Sequence, residues 1–510
     1  MGCRTVSEKL SELTSWDSDW AGLRVVVAGL GLSGFSAADT LIELGAVVTV
    51  IDGRDDELNQ QRASTLKIVG AHEVLLGEQH VERLPLVDGQ QPELLLVSPG
   101  WNPRQPVLVE AQAAGIELWS DVELAWRVQH REGRTAPQWL AITGTNGKTT
   151  TVGMTESILQ AAGLKAIAVG NVGTPILDAV RDPVDYEVFA VELSSFQLHY
   201  THSISPLASV VLNLAEDHVD WHGDFAGYRA DKAKIYERTQ KAAIFNAQAP
   251  ETITMVENAD VVEGCRAIGF TTDSPAVSMV GVVENLLVDR AFIAERRSQA
   301  LELVALKEIG EIVPRHTAAN AAAAAALTRA YGVSAEAVAD GLRGFDAGDH
   351  RIQAVARRDD ILWVNDSKAT NPHAANASLA AFSKVVWIAG GLSKGVDYDE
   401  LVAEHAHRLR SVLLIGTDND SLREALARHA ADVPVHDVTA QVSDSGSTVS
   451  GPQVMTRAVR AAAGIAEAGD TVLMAPAAAS MDQFSSYAQR GNAFISAVSD
   501  LMDESAGNGN

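Results

Sequence analysis

The chain has 510 residues, 46% of them hydrophobic, enough for about three packed domains. A formal net charge of −26 excludes nucleic-acid binding as the main task, because a phosphate backbone needs a basic face. Two distant cysteines, Cys3 and Cys265, exclude a disulfide framework or a cysteine metal centre and fit a reducing cytoplasm. The opening M-G-C-R-T-V-S-E-K-L has no apolar signal core, and with no run of about 18 apolar residues a membrane span is not expected.

The first predicted elements form a βαβ unit. Leu23 to Ala28 reads as a buried strand, and Gly29, Gly31 and Gly34 follow as G-x-G-x-x-G. A helix from about Ser36 to Leu44 leads to a strand over Ala46 to Ile51 that ends at Asp52. A further strand, Leu94 to Val97, ends in Ser98-Pro99-Gly100. On these residues alone a nicotinamide dehydrogenase stays open, as does a nucleotide-sugar-binding module without turnover.

Residues 141–151 read A-I-T-G-T-N-G-K-T-T-T. Apolar residues run into a glycine loop and then into helix periodicity (Val152, Met154, Ile158, Leu159). A strand that turns through Gly144 and Gly147 into a helix N-terminus is a phosphate cradle, because its backbone N–H groups and its dipole point at one spot. Lys148 reaches β/γ-phosphates there, and the Thr149 hydroxyl suits Mg²⁺. The loop is a short form: Ile142 stands where the general pattern has its first glycine.

Strands are expected at 165–169, 187–191 and 208–213, a strand-rich insertion at 277–304 and an alanine-rich helix at 317–331. Glu192, at a strand end, is placed to hold a cation; His218, Asp217, Asp220 and His222 sit after the next strand as metal or phosphate ligands or as a solvated loop. Tyr228 to Tyr236 reads as a helix on which Lys232 and Lys234 would ordinarily form a solvated basic face. A boundary is expected at 344–349, and strands at 361–364, 385–389, 411–415 and 471–475. Residues 441–452 read as a polar loop. Three polar turns, 365–371, 390–394 and 475–484, each follow a strand and are expected to converge on one sheet edge.

In this order the motifs resemble the Mur ligases. G-T-N-G-K-T-T is shared with the broader family, folylpolyglutamate synthases included, whereas E-L-S-S-F-Q, D-S-K-A-T-N and S-M-D-Q-F followed by Q-R-G resemble the members that add D-glutamate. The resemblance covers nearly the whole chain and implies three α/β domains. These are a Rossmann-like UDP-sugar domain over 1–120, a P-loop ATPase-like central domain over 121–347 and a Rossmann-like amino-acid domain over 348–510. It implies a cytoplasmic, monomeric ligase of peptidoglycan precursor synthesis. Such an enzyme uses ATP and two Mg²⁺ ions, not NAD, to join D-glutamate to UDP-N-acetylmuramoyl-L-alanine through an acyl phosphate, with no nucleic-acid or membrane partner.

Residue by residue, the resemblance gives Asp52, Arg54, Ser98, Pro99, Gly100, Asn171, Ser194 and Gln197 to the UDP-sugar. Gly144, Thr145, Asn146, Gly147, Lys148, Thr149, Thr150, Asn320, Arg351 and Asp366 fall to ATP. Thr149, Glu192, His218 and a carbamylated Lys232 would hold the metals, with Lys148, His218 and Lys232 catalytic. Lys368, Thr370, Lys394, Ser480, Met481 and Tyr487 surround D-glutamate. Two positions depart from the family pattern: Thr317 replaces the first asparagine of H-N-x-x-N, and Tyr487 stands where phenylalanine is frequent.

Overall fold

Runs rich in Val, Ile, Leu and Ala, buried on both faces, make parallel strands whose connecting helices cover the sheets. The computed structural model describes residues 6–310, 313–346, 350–393, 395–439 and 450–507. They form two compact units, one drawn from residues 6–309 and 318–345, the other from the described residues within 310–317 and 346–507.

The first unit contains two sheets. Strands β1 (Arg24–Ala28), β2 (Val47–Asp52), β3 (Glu73–Leu76), β4 (Leu94–Val97) and β5 (Glu117–Ser120) are all parallel, in the order β3-β2-β1-β4-β5. The order reverses at β1, so the crevice beyond its C-terminal end receives the glycine loop. Gly34 is required there: a Cβ on it would lie 2.0 Å from the Gly29 carbonyl oxygen. The helix after the loop runs Leu32–Glu43, one turn earlier than the expected start, because its first turn is built from the glycine-loop residues themselves.

The second sheet has nine strands: β6 (Gln138–Thr143), β7 (Ala166–Gly170), β8 (Val188–Glu192), β9 (Ala208–Val211), β10 (Ala242–Asn246), β11 (Arg266–Phe270), β12 (Met279–Val283), β13 (Leu286–Asp289) and β14 (Leu301–Ala305). The order is β14-β13-β12-β11-β10-β9-β6-β8-β7. The expected insertion at 277–304 is an antiparallel meander, β12 to β14, added to one edge. The order reverses at β6, with β8 and β9 as its two neighbours. Within this unit Arg181 bridges to Asp39 (2.6 Å) and Glu43 (2.9 Å), joining the helix Ile176–Arg181 to the helix Leu32–Glu43.

The second unit carries β15 (Gln353–Arg358), β16 (Ile361–Asn365), β17 (Val385–Ala389), β18 (Leu409–Leu414), β19 (Val435–Asp437) and β20 (Thr471–Met474), ordered β15-β16-β20-β17-β18-β19. Only β15 runs antiparallel to its neighbour. The expected loop at 441–452 is corrected at its end: Ser450 and Gln453 form a capping box and Pro452 sits in the first turn, so the helix Gly451–Ile465 begins there; 441–449 lie outside the described residues. Among the described residues no helix is long and apolar enough to cross a membrane.

Candidate active site

The loop after β6 is held from below by β9. Asn213 accepts the Asn146 amide with its Oδ1 (2.8 Å) and donates its Nδ2 to the Asn146 carbonyl (3.0 Å). Thr145 donates its amide to the Asn213 carbonyl (3.1 Å), and its Oγ1 accepts the Ala215 amide (3.0 Å). Gly147, in the left-handed region at φ +83°, precedes the helix Lys148–Ala161, whose first turn has no side-chain cap. The amides of Lys148 and Thr149, which no side chain among the described residues caps, are placed for an anion. Asn320 packs on this turn, since a Cβ on Gly147 would meet its Oδ1 at 2.5 Å.

Two lysines meet at the loop. Lys148 Nζ donates to the Gly144 and Thr145 carbonyls, both at 2.9 Å, leaving one ammonium proton free. Lys232 Nζ donates to the Gly144 carbonyl (3.0 Å) and Thr143 Oγ1 (3.2 Å). Lys232 is not on a solvated face: it is 2% exposed, on the inner side of the helix Phe225–Ala233. Burial, then the charge of Lys148, pushes its pKa well below the ordinary value, while Asp217 and Glu192 oppose the shift. Burial also lowers the pKa of Lys148. In its neutral form the Lys232 amine would spend both protons on these two acceptors and keep its lone pair.

Glu192 ends β8 and is 1% exposed. Its Oε1 accepts from Asn171 Nδ2 (3.1 Å), and its Oε2 is buried with no hydrogen-bond partner among the described residues. A bare buried carboxylate oxygen, with two lysines nearby, is a donor that a hard cation takes, so Glu192 fits Mg²⁺. His218 is exposed, at φ +52°, with its ring 4.8 Å from that of Phe196. The four candidates after β9 separate. His222 uses both ring nitrogens, on Asp231 (2.9 Å) and Ser195 (2.9 Å), and is not available as a ligand. Asp220 is exposed and Asp217 acts electrostatically on both lysines. Among the described residues no group of three His, Cys, Asp or Glu side chains could hold a metal, so any cation site here draws on hydroxyl, lysine-derived or substrate oxygens as well.

At the end of β2, Asp52 Oδ2 accepts the Leu30 amide (2.7 Å) and Oδ1 the Arg54 amide (2.9 Å). This carboxylate shapes the glycine loop through one oxygen on each side and keeps acceptor capacity on both. The Arg54 side chain is 70% exposed. Ser98 is buried and donates to the Gly29 carbonyl (3.3 Å); Pro99 and Gly100 continue that turn. Ser194 and Gln197 form the capping box of the short helix Ser195–His199. Gln197 Nε2 also donates to the buried Asp121 (3.3 Å), which Ser33 of the first glycine loop hydrogen-bonds as well. Burial raises the Asp121 pKa.

In the second unit the three polar turns do converge, because β16, β20 and β17 are adjacent. Gly390 N donates to the Pro476 carbonyl (2.8 Å) and Leu392 N to the Ala479 carbonyl (2.9 Å). Arg490, 1% exposed, latches two of the turns by donating to Ser367 Oγ (3.0 Å), the Ser367 carbonyl (2.9 Å) and the Ala478 carbonyl (3.1 Å). Lys368 Nζ donates to Tyr487 Oη at 2.8 Å, a contact phenylalanine could not make. Asp366 accepts from Ser378 Oγ and from the Ile352 amide (3.3 Å), and burial raises its pKa to about 6. Ser480 is buried, Met481 exposed, and Thr370 half-buried beside Lys368 in sequence; Lys394 lies outside the described residues. The sequence reading missed Asn213, Asp231, Asp121 and Arg490. Asn213 carried a signal as the first residue of the polar stretch 213–222 after a strand, and Arg490 as the middle of Q-R-G.

Three family models match the chain in order: a Mur ligase MurD-like N-terminal domain over 23–120, a Mur ligase middle domain over 142–328 and a Mur ligase glutamate ligase domain over 350–478. The UDP-N-acetylmuramoylalanine--D-glutamate ligase of Leifsonia xyli subsp. xyli is 48% identical, across 98% of this chain and 97% of the relative. The chain belongs to the Mur ligase family. Within that family, the ligase of the same name from Streptomyces coelicolor is 51% identical over 95% of this chain and 99% of its own. The Mur ligase fold is shared with MurF ligase from Thermotoga maritima, at TM-score 0.54 and 16% identity over 96% and 99% of the two chains. The UDP-N-acetylmuramate-alanine ligase MurC from the same organism aligns with TM-score 0.51 and 16% identity over 94% and 99%.

Proposed function

We propose that the chain joins D-glutamate to the L-alanine carboxylate of UDP-N-acetylmuramoyl-L-alanine, converting ATP to ADP and phosphate, as a cytoplasmic, monomeric enzyme of peptidoglycan precursor assembly. The observation that carries the reading is likeness, over nearly the whole chain, to ligases of that name. The cradle geometry supports the chemistry. A carboxylate oxygen attacks the γ-phosphorus, ADP leaves and an acyl phosphate forms. The D-glutamate amine then attacks the acyl carbon and loses a proton, and phosphate departs from the tetrahedral intermediate with the carboxylate's oxygen.

The uncapped first turn of the helix Lys148–Ala161 receives the phosphates, with Gly144 to Thr150 lining the turn. Lys148 turns its free proton toward the oxygens on which charge builds. Thr149 and Glu192 are the residues to hold one Mg²⁺, and His218 with Lys232 the second. The ion supplies charge neutralisation on the transferring phosphoryl group. The free lone pair on Lys232 suits addition to CO₂ with loss of one proton, which would turn a buried amine into an anionic oxygen ligand. Asn320, Arg351 and Asp366 are assigned to the nucleotide, and Lys368, Thr370, Lys394, Ser480, Met481 and Tyr487 to the amino acid. Asp52, Arg54, Ser98, Pro99, Gly100, Asn171, Ser194 and Gln197 are assigned to the UDP-sugar.

The test is phosphate release from ATP, Mg²⁺ and UDP-N-acetylmuramoyl-L-alanine, screened over amino acids. Turnover with D-glutamate and little with L-glutamate is expected. Equal turnover with L-glutamate, or with alanine in its place, would overturn the assignment.

A further inference from the structure

One buried polar cluster is left unused by the proposed chemistry. Asp231, 6% exposed, accepts from His199 Nδ1 (2.7 Å) and His222 Nδ1 (2.9 Å) with one oxygen, and its other oxygen is 3.0 Å from Lys234 Nζ. The His222 side chain is wholly buried, and its Nε2 lies 2.9 Å from Ser195 Oγ. A carboxylate accepts only, so His222 donates to it through Nδ1, and its Nε2 pairs with the Ser195 hydroxyl, which can donate or accept. The order is that of a hydrolytic triad. However, Ser195 is 2% exposed in the first turn of a helix, which closes it to a substrate carbonyl.

What the relay does is join three segments. Ser195 is three residues past Glu192, His222 lies one turn past His218, and Asp231 precedes Lys232. The His222 amide donates to the His218 carbonyl at 3.1 Å, and this bond fixes a residue whose left-handed backbone is costly for a side chain bearing a Cβ. Phe196, next to Ser195, packs its ring 4.8 Å from His218 and stacks at 5.7 Å on His222. We infer that the Asp231–His222–Ser195 relay is a positioning device that sets Glu192, His218 and Lys232 at one geometry for a divalent cation. The inference rests on the cation assignments proposed above.

Mn²⁺ alone, titrated into the full chain and followed by loss of the free-ion EPR signal, tests it. His222→Phe keeps a ring and removes both nitrogens; Ser195→Ala removes the last link. Each should weaken Mn²⁺ binding by about tenfold or more and raise the Mg²⁺ concentration for half-maximal turnover more than it lowers kcat. ADP affinity measured without divalent ion should stay unchanged. His222→Gln, whose amide oxygen can accept the Ser195 hydroxyl, should recover part of the loss. Wild-type Mn²⁺ affinity in folded Ser195→Ala and His222→Phe, with only melting lowered, would overturn the positioning role. Failure of the wild-type chain to bind Mn²⁺ both alone and with ADP and bicarbonate present would instead overturn the cation assignments, and the relay's role with them.

Discussion

Lys232 is the residue where function and stability pull apart. Its folded-state pKa is depressed, so the unfolded chain holds a proton that the folded chain gives up. That penalty is present at neutral pH and fades only as pH rises toward the ordinary lysine value of 10.5. Lys232→Met should therefore raise the unfolding midpoint at pH 7 in CO₂-depleted buffer, while lowering turnover at least about 100-fold. Asp366 shows the opposite sign. Its pKa rises from 3.8 to about 6 through burial, so the folded state keeps a proton longer than the unfolded chain. Its contribution is full below about pH 4 and is lost as pH rises to about 6. Asp366→Asn should remove roughly 3 kcal/mol of that pH dependence, read as urea midpoints across pH 4 to 7. Neither environment was visible in the sequence. Lys232 reads as one face of a charged helix, and only the packing of Tyr228, the Gly144 carbonyl and the Thr143 hydroxyl around it shows the burial.

At the scale of elements, glycine loops at strand ends were legible because their requirement is local: a left-handed φ or a close approach leaves its mark in four or five consecutive residues. What holds those loops was not legible. Asn213 grips the phosphate loop from 67 residues away, and Arg490 reaches Ser367 from 123 residues away. Such bonds depend on sheet order, and no spacing in the chain announces them. Two glycines of similar φ separate strain from crowding. Gly147→Ala places a Cβ against Asn320 in the cradle, and Gly163→Ala, at φ +79°, meets nothing within 4 Å. Both should lose about 1 kcal/mol of stability from the left-handed backbone. Only Gly147→Ala should also lose ATP-dependent turnover, by about tenfold or more, measured by ADP release.

At the scale of the whole molecule, the fold repeats one solution three times: a parallel sheet whose order reverses beside a polar turn. Sheet class and the central strands came through in the sequence because parallel strands buried on both faces are continuous apolar runs, whereas β3, β5, β10, β11, β15 and β19 were not anticipated. The antiparallel meander β12–β14 also showed, as a strand-rich stretch, but the capping box that ends the 441–452 stretch was hidden by its polar composition. A net charge of −26 sits around a cradle that must draw in anions, so the local lysines and helix N-terminus act against the overall field. The account stands on transfer of a phosphoryl group from that cradle to a substrate carboxylate. The direct measurement uses UDP-N-acetylmuramoyl-L-alanine carrying ¹⁸O in its alanine carboxylate, with mass analysis of the phosphate released during turnover with D-glutamate. The expected result is one ¹⁸O atom in each phosphate; amide product formed alongside unlabelled phosphate would contradict it.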